Sequence, residues 1–414
     1  MSTKTKLVRE APYILKDLDK AGEVAMFYGF QSVKTPKIEK SDVDLAKSLA
    51  PDFIEHAKSS FPRPEEKCSL LRTITEWELH NNEHPLMLHY RRAVTQLPVK
   101  RSADERHYSL DIIGSIDSIS EAIAIRTALA ILNEHGERDL MVDINSIGDK
   151  HSVTQFEKEL TNFTRKHGSD APSDVKQQIK KDPFNVWHCN HCDWIETRKR
   201  APQSLSHLSE ASVNHFQEVL EHLETLEVPY RINPTLLGHR QFCSHTIFEI
   251  KSAPQAAVTE TKELVTITPP DATEETFAIG TRHNYLARRA GFKRETPIMS
   301  VNIRLKKNSS TPKLLFKKKP DPRFFYIQFG TMAKFKSLPI IESLRQAHIP
   351  VHHMLTSDKF LAQLAVAEKL RTPYVIIMGQ KEALENSVVV REMSNRSQET
   401  VPVHHLAHYL SKIR

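Results

Sequence analysis

The chain has 414 residues, room for two to four domains at roughly 100–200 residues each, and it carries 58 Lys and Arg against 51 Asp and Glu, a surplus of seven positive charges. Hydrophobic residues make up 39% and charged residues 26%, with only 11 Gly and 23 Pro, which excludes general disorder and collagen-like or low-complexity architectures. No apolar run approaches the ~18 residues of a membrane span, the opening MSTKTKLVREAPY lacks a signal-peptide core, and four cysteines do not make a disulfide framework, so a cytoplasmic location without a membrane partner is expected.

Leu15, Leu18, Ala21, Ala25 and Tyr28 recur at helical spacing until Gly29 stops the run. QSVKTPKIEK reads as a short strand broken by Pro36, and residues 51–70 as irregular, proline-interrupted chain. LMLHYRRAV and HYSLDIIGS predict two strands around the basic connection LPVKRSADE. SISEAIAIRTALAILNEHG predicts an amphipathic helix ended by Gly136, and DLMVDINSIGD a buried strand. Antiparallel strands followed by a helix and a strand point to α+β and away from a doubly wound sheet.

From about 150 to 230 the pattern is helical and polar, with Val213, Phe216, Val219, Leu220, Leu223 and Leu226 on one stripe. YRINPTLL, HTIFEI and ELVTITPP return to strand patterns, AIGTRHNYLARRAGF supplies a turn and a helix, and PIMSVNIRL a last strand or helix start. The basic stretch RLKKNSSTPKLLFKKKPDPR, from Arg304 to Arg323, reads as a solvated linker, with a contact to a phosphate backbone as the alternative. Beyond Pro320, strands and helices alternate as in a compact α/β domain: FFYIQFG, a helix with Pro339 near its start, PVHHML, a helix aligning Phe360, Leu364, Ala367 and Leu370, TPYVIIMG, NSVVVREM and a closing helix. The strand setting of Phe324, Phe325 and Tyr326 gives them a core role. His188-Cys189-Asn190-His191-Cys192 offers a CxxC pair, but no second CxxC or HxxxH completes a tetrahedral set, so a reduced thiol pair is expected and no metal site is assigned.

Taken in order, these pieces resemble a histidyl-tRNA synthetase of class II architecture over nearly the whole chain. GFQSVKTPKIEKSDV (29–43) looks like the first class II motif. LDIIGSIDSISEAIAI (110–125) is similar to the strand and helix after the second, INSIGD (144–149) matches a short family signature, and HTIFEI (245–250) resembles the end of the histidine-recognition motif. KDPFNVWHC followed by NHFQEVLEHLETLEVPYRINPTLL looks like the family's inserted helical domain and its exit. Residues 361–402 closely resemble its C-terminal anticodon-binding domain. The resemblance implies an α+β class II core with an antiparallel sheet (1–150 and 231–305), a helical insertion (151–230), a basic linker (306–322) and an α/β anticodon-binding-type domain (323–414). It also implies a homodimer and, as substrates, histidine, ATP with magnesium, and histidine tRNA.

Amino-acid activation brings a carboxylate against the α-phosphate of ATP, so the site needs fixed cations, and the bidentate fork of Arg suits phosphate oxygens best. Motif by motif, the resemblance places uncharged residues there. The phosphate-holding Arg of the second motif aligns with Gln96. Upstream, Arg72 keeps its place, but the amino-group-binding Glu is Ile74. The histidine-orienting Gln is Ser109, with Arg106 nearby. The catalytic Arg of the recognition motif is Gly238, its Asp is Gln241, and its paired Tyr are Phe242 and Cys243, with Arg240 two residues along. Arg282 matches the family's Arg in the glycine-rich turn, read here as Ile279–Asn284, and the third-motif Arg falls on Arg304 or Lys307. Of these, Gln96, Gly238, Arg240 and Arg304 stand at catalytic positions, and Arg72, Arg106, Ser109, Phe242, Cys243 and Arg282 at substrate-binding ones. The resulting expectation is a synthetase-like protein that binds tRNA or a tRNA-like RNA with histidine activation lost or strongly reduced. The alternatives are an active histidine–tRNA ligase with a rebuilt site using ATP and magnesium, and a histidine-sensing regulatory subunit.

Overall fold

A computed structural model describes residues 19–49, 63–77, 79, 85–92, 105–188, 196–197, 199–253, 274–306 and 323–413. The elements in chain order are α1 (Lys20–Phe27), β1 (Gln31–Ser32), α2 (Lys40–Leu49), α3 (Pro64–Glu76), β2 (Leu86–Arg91), β3 (Glu105–Ile113), α4 (Ile119–Glu134), β4 (Leu140–Ser146), α5 (Lys150–His167), α6 (Ser173–Lys181), α7 (Glu210–Thr225), β5 (Tyr230–Ile232), β6 (Ser244–Ser252), β7 (Thr276–His283), α8 (Leu286–Arg289) and β8 (Ile298–Lys306). There follow β9 (Phe324–Gln328), α9 (Thr331–Gln346), β10 (Val351–His353), α10 (Phe360–Lys369), β11 (Tyr374–Met378), α11 (Gln380–Leu384), β12 (Ser387–Glu392), β13 (Gln398–Pro402) and α12 (Leu406–Lys412).

Eight strands form one sheet in the order β1-β2-β3-β8-β7-β6-β4-β5. Its six inner strands pair antiparallel throughout, and only the short edge strands β1 and β5 pair parallel. The five C-terminal strands form a second, mixed sheet, β10-β9-β11-β12-β13. The architecture is α+β, with the antiparallel sheet and the C-terminal α/β module that the sequence predicts.

Strand alternation divides the large sheet into two unlike faces. Tyr108, Leu110 and Ile112 of β3 and Met299, Val301, Ile303 and Leu305 of β8 point to one side and share a core with α1, α4 and α7. On the other side stand Ser109, Asp111, Ser300 and Asn302, opposite one another in register and all buried. A face of polar side chains must be closed by partners that satisfy them, and that face is where the candidate site is built.

Four readings of the sequence are corrected here. Residues 64–70, read as irregular, lie inside α3: Pro64 sits at its first turn, where a missing N–H is no loss. Helix α4 is not half-exposed as an amphipathic helix would be. It is buried nearly all round because α1, β8 and α7 pack against it. The turn expected over Ile279–Asn284 is mostly strand, since β7 runs through His283 with hydrogen-bonded neighbours on both sides. Pro339 lies in the interior of α9, which already begins at Thr331. The predicted strand ELVTITPP (263–270), Leu15 and Leu18, and the basic residues at 100–101 and 307–322 fall outside the described residues. Phe324, Phe325 and Tyr326 are in the core, each at most 2% exposed.

The C-terminal module is seated on the first through α9. Glu342 accepts from the Tyr28 hydroxyl, lies 2.6 Å from Arg126 and is held 2.8 Å from Arg345 Nε. Arg345 reaches on to Glu134 at 2.8 Å, and His353 Nε2 lies 3.2 Å from the Phe27 carbonyl. Apolar residues of both sheets join in one core cluster.

Candidate functional site

Helix α3 crosses the polar face, and its buried stripe is not wholly apolar: Lys67 takes a place among Leu70, Leu71 and Ile74. The Lys67 ammonium, 1% exposed, lies 2.7 Å from Asp111 Oδ1 and 3.4 Å from the Ser109 hydroxyl. Tyr90 donates to Asp111 Oδ2 at 2.7 Å, Ser109 lies 3.0 Å from the same oxygen, and Ser300 donates to Oδ1. Ser109 also lies 3.2 Å from Asn302 Oδ1. Burial pushes the Asp111 carboxyl up, but the Lys67 ammonium and the hydroxyl donors outweigh it and hold the pKa below the ordinary carboxylate value. Burial, with the Asp111 charge, pushes the Tyr90 phenol well above its usual range. The centre of this face is therefore a salt-bridged cluster made from the chain's own side chains.

The aligned positions are placed around that cluster as follows. Ser109 is part of it, and Ile74 is buried in the adjoining apolar cluster with Leu70, Leu71, Leu88 and Tyr90. Arg72 binds both oxygens of Asp42 and reaches Glu76 at 2.7 Å and the Lys37 carbonyl at 2.6 Å. Arg106 is exposed on β3. Arg240 pairs with Asp182 at 2.5 Å and lies over the Phe184 ring, so it is tied to the helical segment that follows β4. Arg304 pairs with Glu105 and Glu275 at 3.1 and 2.7 Å. Arg282 points to the opposite face, where it is fully buried against Glu121 and accepted by the carbonyls of Ser115 and Asp117 at 3.0 Å. Burial alone would raise the Glu121 pKa, yet Arg282 and His215 hold it far below the carboxylate range.

Gly238 leaves no room for a longer residue: a Cβ there would lie 2.7 Å from Cys243 Cβ, inside contact distance. Phe242 is buried, with its ring centroid 4.4 Å from that of His283 and its carbonyl 3.0 Å from His283 Nδ1. Burial pushes the Cys243 thiol up to about 12, which keeps it protonated and unreactive. Gln96 and the Cys189–Cys192 pair lie outside the described residues. The structure thus brings Ser109 into the central cluster and disperses Arg72, Arg240, Arg282 and Arg304 to separate carboxylates around and behind it.

The residues that organise this face, Lys67, Asp111, Tyr90, Ser300 and Asn302, were not singled out from the sequence. Two signals for them were present. Lys67 falls on the apolar helical spacing of Leu70, Leu71 and Ile74, and Asp111 interrupts the apolar run LDII. A charge at an apolar position requires a buried counter-charge, and each of these two is the other's.

Among the described residues, no helix is long and apolar enough to cross a membrane. Residues 336–413 match the family model of an anticodon binding domain. Over 425 aligned residues the chain is 23% identical to the histidine–tRNA ligase of Dehalococcoides mccartyi (strain ATCC BAA-2100), covering 98% of this chain and 96% of that protein. It is 25% identical over 403 residues to the histidine–tRNA ligase of Latilactobacillus sakei subsp. sakei, covering 92% and 89%. Among solved structures, apo histidyl-tRNA synthetase of S. aureus is 19% identical, with 94% of this chain and 92% of that one covered and a TM-score of 0.49.

Proposed function

The chain belongs to the histidyl-tRNA synthetase family, and from that premise we propose that it is an RNA-binding member, with tRNA as its partner, in which histidine activation is lost or strongly reduced. One observation carries this reading: Arg72, Arg240, Arg282 and Arg304 are each paired with the chain's own carboxylates, and the centre of the sheet face is closed by the Lys67–Asp111 pair. A guanidinium that already holds a carboxylate bidentately, as Arg72 holds Asp42, gives little to a phosphate unless that carboxylate moves away. Removing one preorganised charge-stabilising donor costs about 10²–10³ in rate, and losses within one site compound without being additive. At Gly238 a longer side chain is obstructed by Cys243, and Arg240, two residues along, is held on Asp182.

The module matching an anticodon binding domain supports the RNA partner, and the surplus of seven positive charges agrees with it. A homodimer in the cytoplasm completes the proposal.

The test is histidine-dependent ATP–pyrophosphate exchange on the purified chain with magnesium, with binding of a histidine tRNA transcript followed alongside. Exchange is expected at background and tRNA binding to weaken steeply with salt. Exchange clearly above background would establish instead a working ligase with a rebuilt site. Histidine binding with neither exchange nor tRNA binding would favour a regulatory, histidine-sensing protein.

A further inference from the structure

Helix α9 seats the C-terminal module on the first, and two histidines lie in that contact. His222 of α7 is 2% exposed, and its ring centroid stands 4.3 Å from that of Phe335 in the second turn of α9. His353 of β10 reaches the end of α1, where its Nε2 lies 3.2 Å from the Phe27 carbonyl. Gly29, at φ +89°, brings the backbone against the same ring: a Cβ there would stand 3.1 Å from His353 Cε1.

Both places suit a neutral imidazole and oppose a charged one. A carbonyl only accepts, so the Nε2 of His353 carries its hydrogen and Nδ1 keeps a lone pair, buried and without a hydrogen-bond partner. A second proton would put a buried N–H there with no acceptor, and His352 on the same strand opposes the added charge. His222 faces Lys334 from the first turn of α9, whose ammonium repels an imidazolium. From α4 it faces Glu121, which attracts one but is already held by Arg282 and His215. Asp117, ahead of α4, lies 3.9 Å from Lys334, and Glu218, one turn back on α7, accepts from Ser118 at 2.7 Å. Burial lowers both rings to about 4. The ion pairs of the same contact keep their charge down to that pH: although burial raises both carboxyls, Arg345 and Arg126 bring Glu342 to about 2, and Arg345 and Lys20 lower Glu134.

We propose that His222 and His353 form an acid-sensitive latch, in which proton uptake by both releases the C-terminal module from the large sheet while each part keeps its own fold. Release exposes the two rings and returns them to about 6.5. Below that pH the released form binds more protons than the docked one, so acid favours release. For each ring the released-to-docked ratio rises by up to about tenfold per pH unit between 6.5 and 4, so from pH 7 to pH 5 the two together raise it by about 10²- to 10³-fold.

The experiment is small-angle X-ray scattering of the full chain between pH 7.5 and 5, with far-ultraviolet circular dichroism alongside, on wild type, H222F, H353Q and H222F/H353Q. H222F keeps a ring against Phe335, H353Q keeps an N–H for the Phe27 carbonyl, and neither new side chain titrates. The wild-type radius of gyration is expected to grow between pH 6 and 5 with helix and strand content intact. Each single variant should need a lower pH for the same growth, and the double variant should hold its pH 7.5 radius. A wild-type radius unchanged down to pH 5, growth that comes only with loss of secondary structure, or equal growth in the double variant would overturn the proposal. Should the double variant already be expanded at pH 7.5, the single variants decide: growth at the wild-type pH in both overturns the latch, and a shift to lower pH in either supports it.

Discussion

Lys67 and Asp111 face each other with at most 1% exposure, and their energetic meaning is in what each leaves behind when the other is removed. Breaking a buried pair by truncating one partner typically costs about 3–5 kcal/mol, because the remaining charge stays desolvated and unpaired. K67A is therefore expected to lower the unfolding free energy by about that amount in urea at neutral pH. The double variant K67M/D111N should cost much less than the sum of K67M and D111N, since no buried charge remains. Additive losses would mean that the two side chains do not depend on each other. Neither residue is prominent in a linear reading. In PEEKCSLL the lysine follows two glutamates and looks like part of a solvated run, and only the helical phase puts it inward. Motif order, a property of the linear sequence, is what points the resemblance to positions such as Gly238 and Ile74. What surrounds those positions was not legible, because partners such as Lys67 and Asp111 are 44 residues apart.

At the scale of elements, α9 illustrates both outcomes. Its apolar residues Leu338, Ile341 and Leu344 are plain in the sequence, but its start at Thr331 is hidden behind the mixed segment TMAKFK and the interior Pro339. Its role is set by what it packs on. Glu342 sits among Tyr28, Arg126 and Arg345, and although burial raises its pKa, the two arginines bring it down to about 2. E342A leaves Arg126 and Arg345 without their shared carboxylate, and we expect a loss of about 3 kcal/mol, the lower end for breaking a buried pair. Scanning calorimetry should show a lower midpoint and a C-terminal module that unfolds ahead of the large sheet, while E385A, at an exposed residue just after α11, leaves the trace unchanged. A single transition at the wild-type midpoint in E342A would show that apolar packing alone holds the two parts together.

For the whole molecule, the histidines set the response to acid. Burial, which disfavours the charged ring, lowers His89, His222, His245 and His353 to about 4 and His283 to about 3. In the unfolded chain they titrate near 6.5. Between about pH 6.5 and 4 the unfolded state thus binds more protons than the folded one, so stability falls as pH falls, by up to about 1.4 kcal/mol per pH unit for each such histidine. The melting temperature is expected to be level above pH 7 and to drop steeply from pH 6.5 to 4. His89 has no hydrogen-bond partner on either ring nitrogen and stacks on Tyr108, so H89F should make that drop shallower. An H89F melting profile with an unchanged slope would remove His89 from the account.

The α+β class, most of the strands and the kinship with histidine–tRNA ligases were written in the linear pattern. Periodicity and motif spacing report each segment's own burial, and that is a local property. Which face of the sheet is polar, how Lys67 and Asp111 close its centre, and where Arg240, Arg282 and Arg304 spend their charge were decided by the tertiary fold. Each of those depends on side chains tens to hundreds of residues apart meeting within hydrogen-bond distance, and buried charge leaves no periodic trace in the sequence to announce its partner.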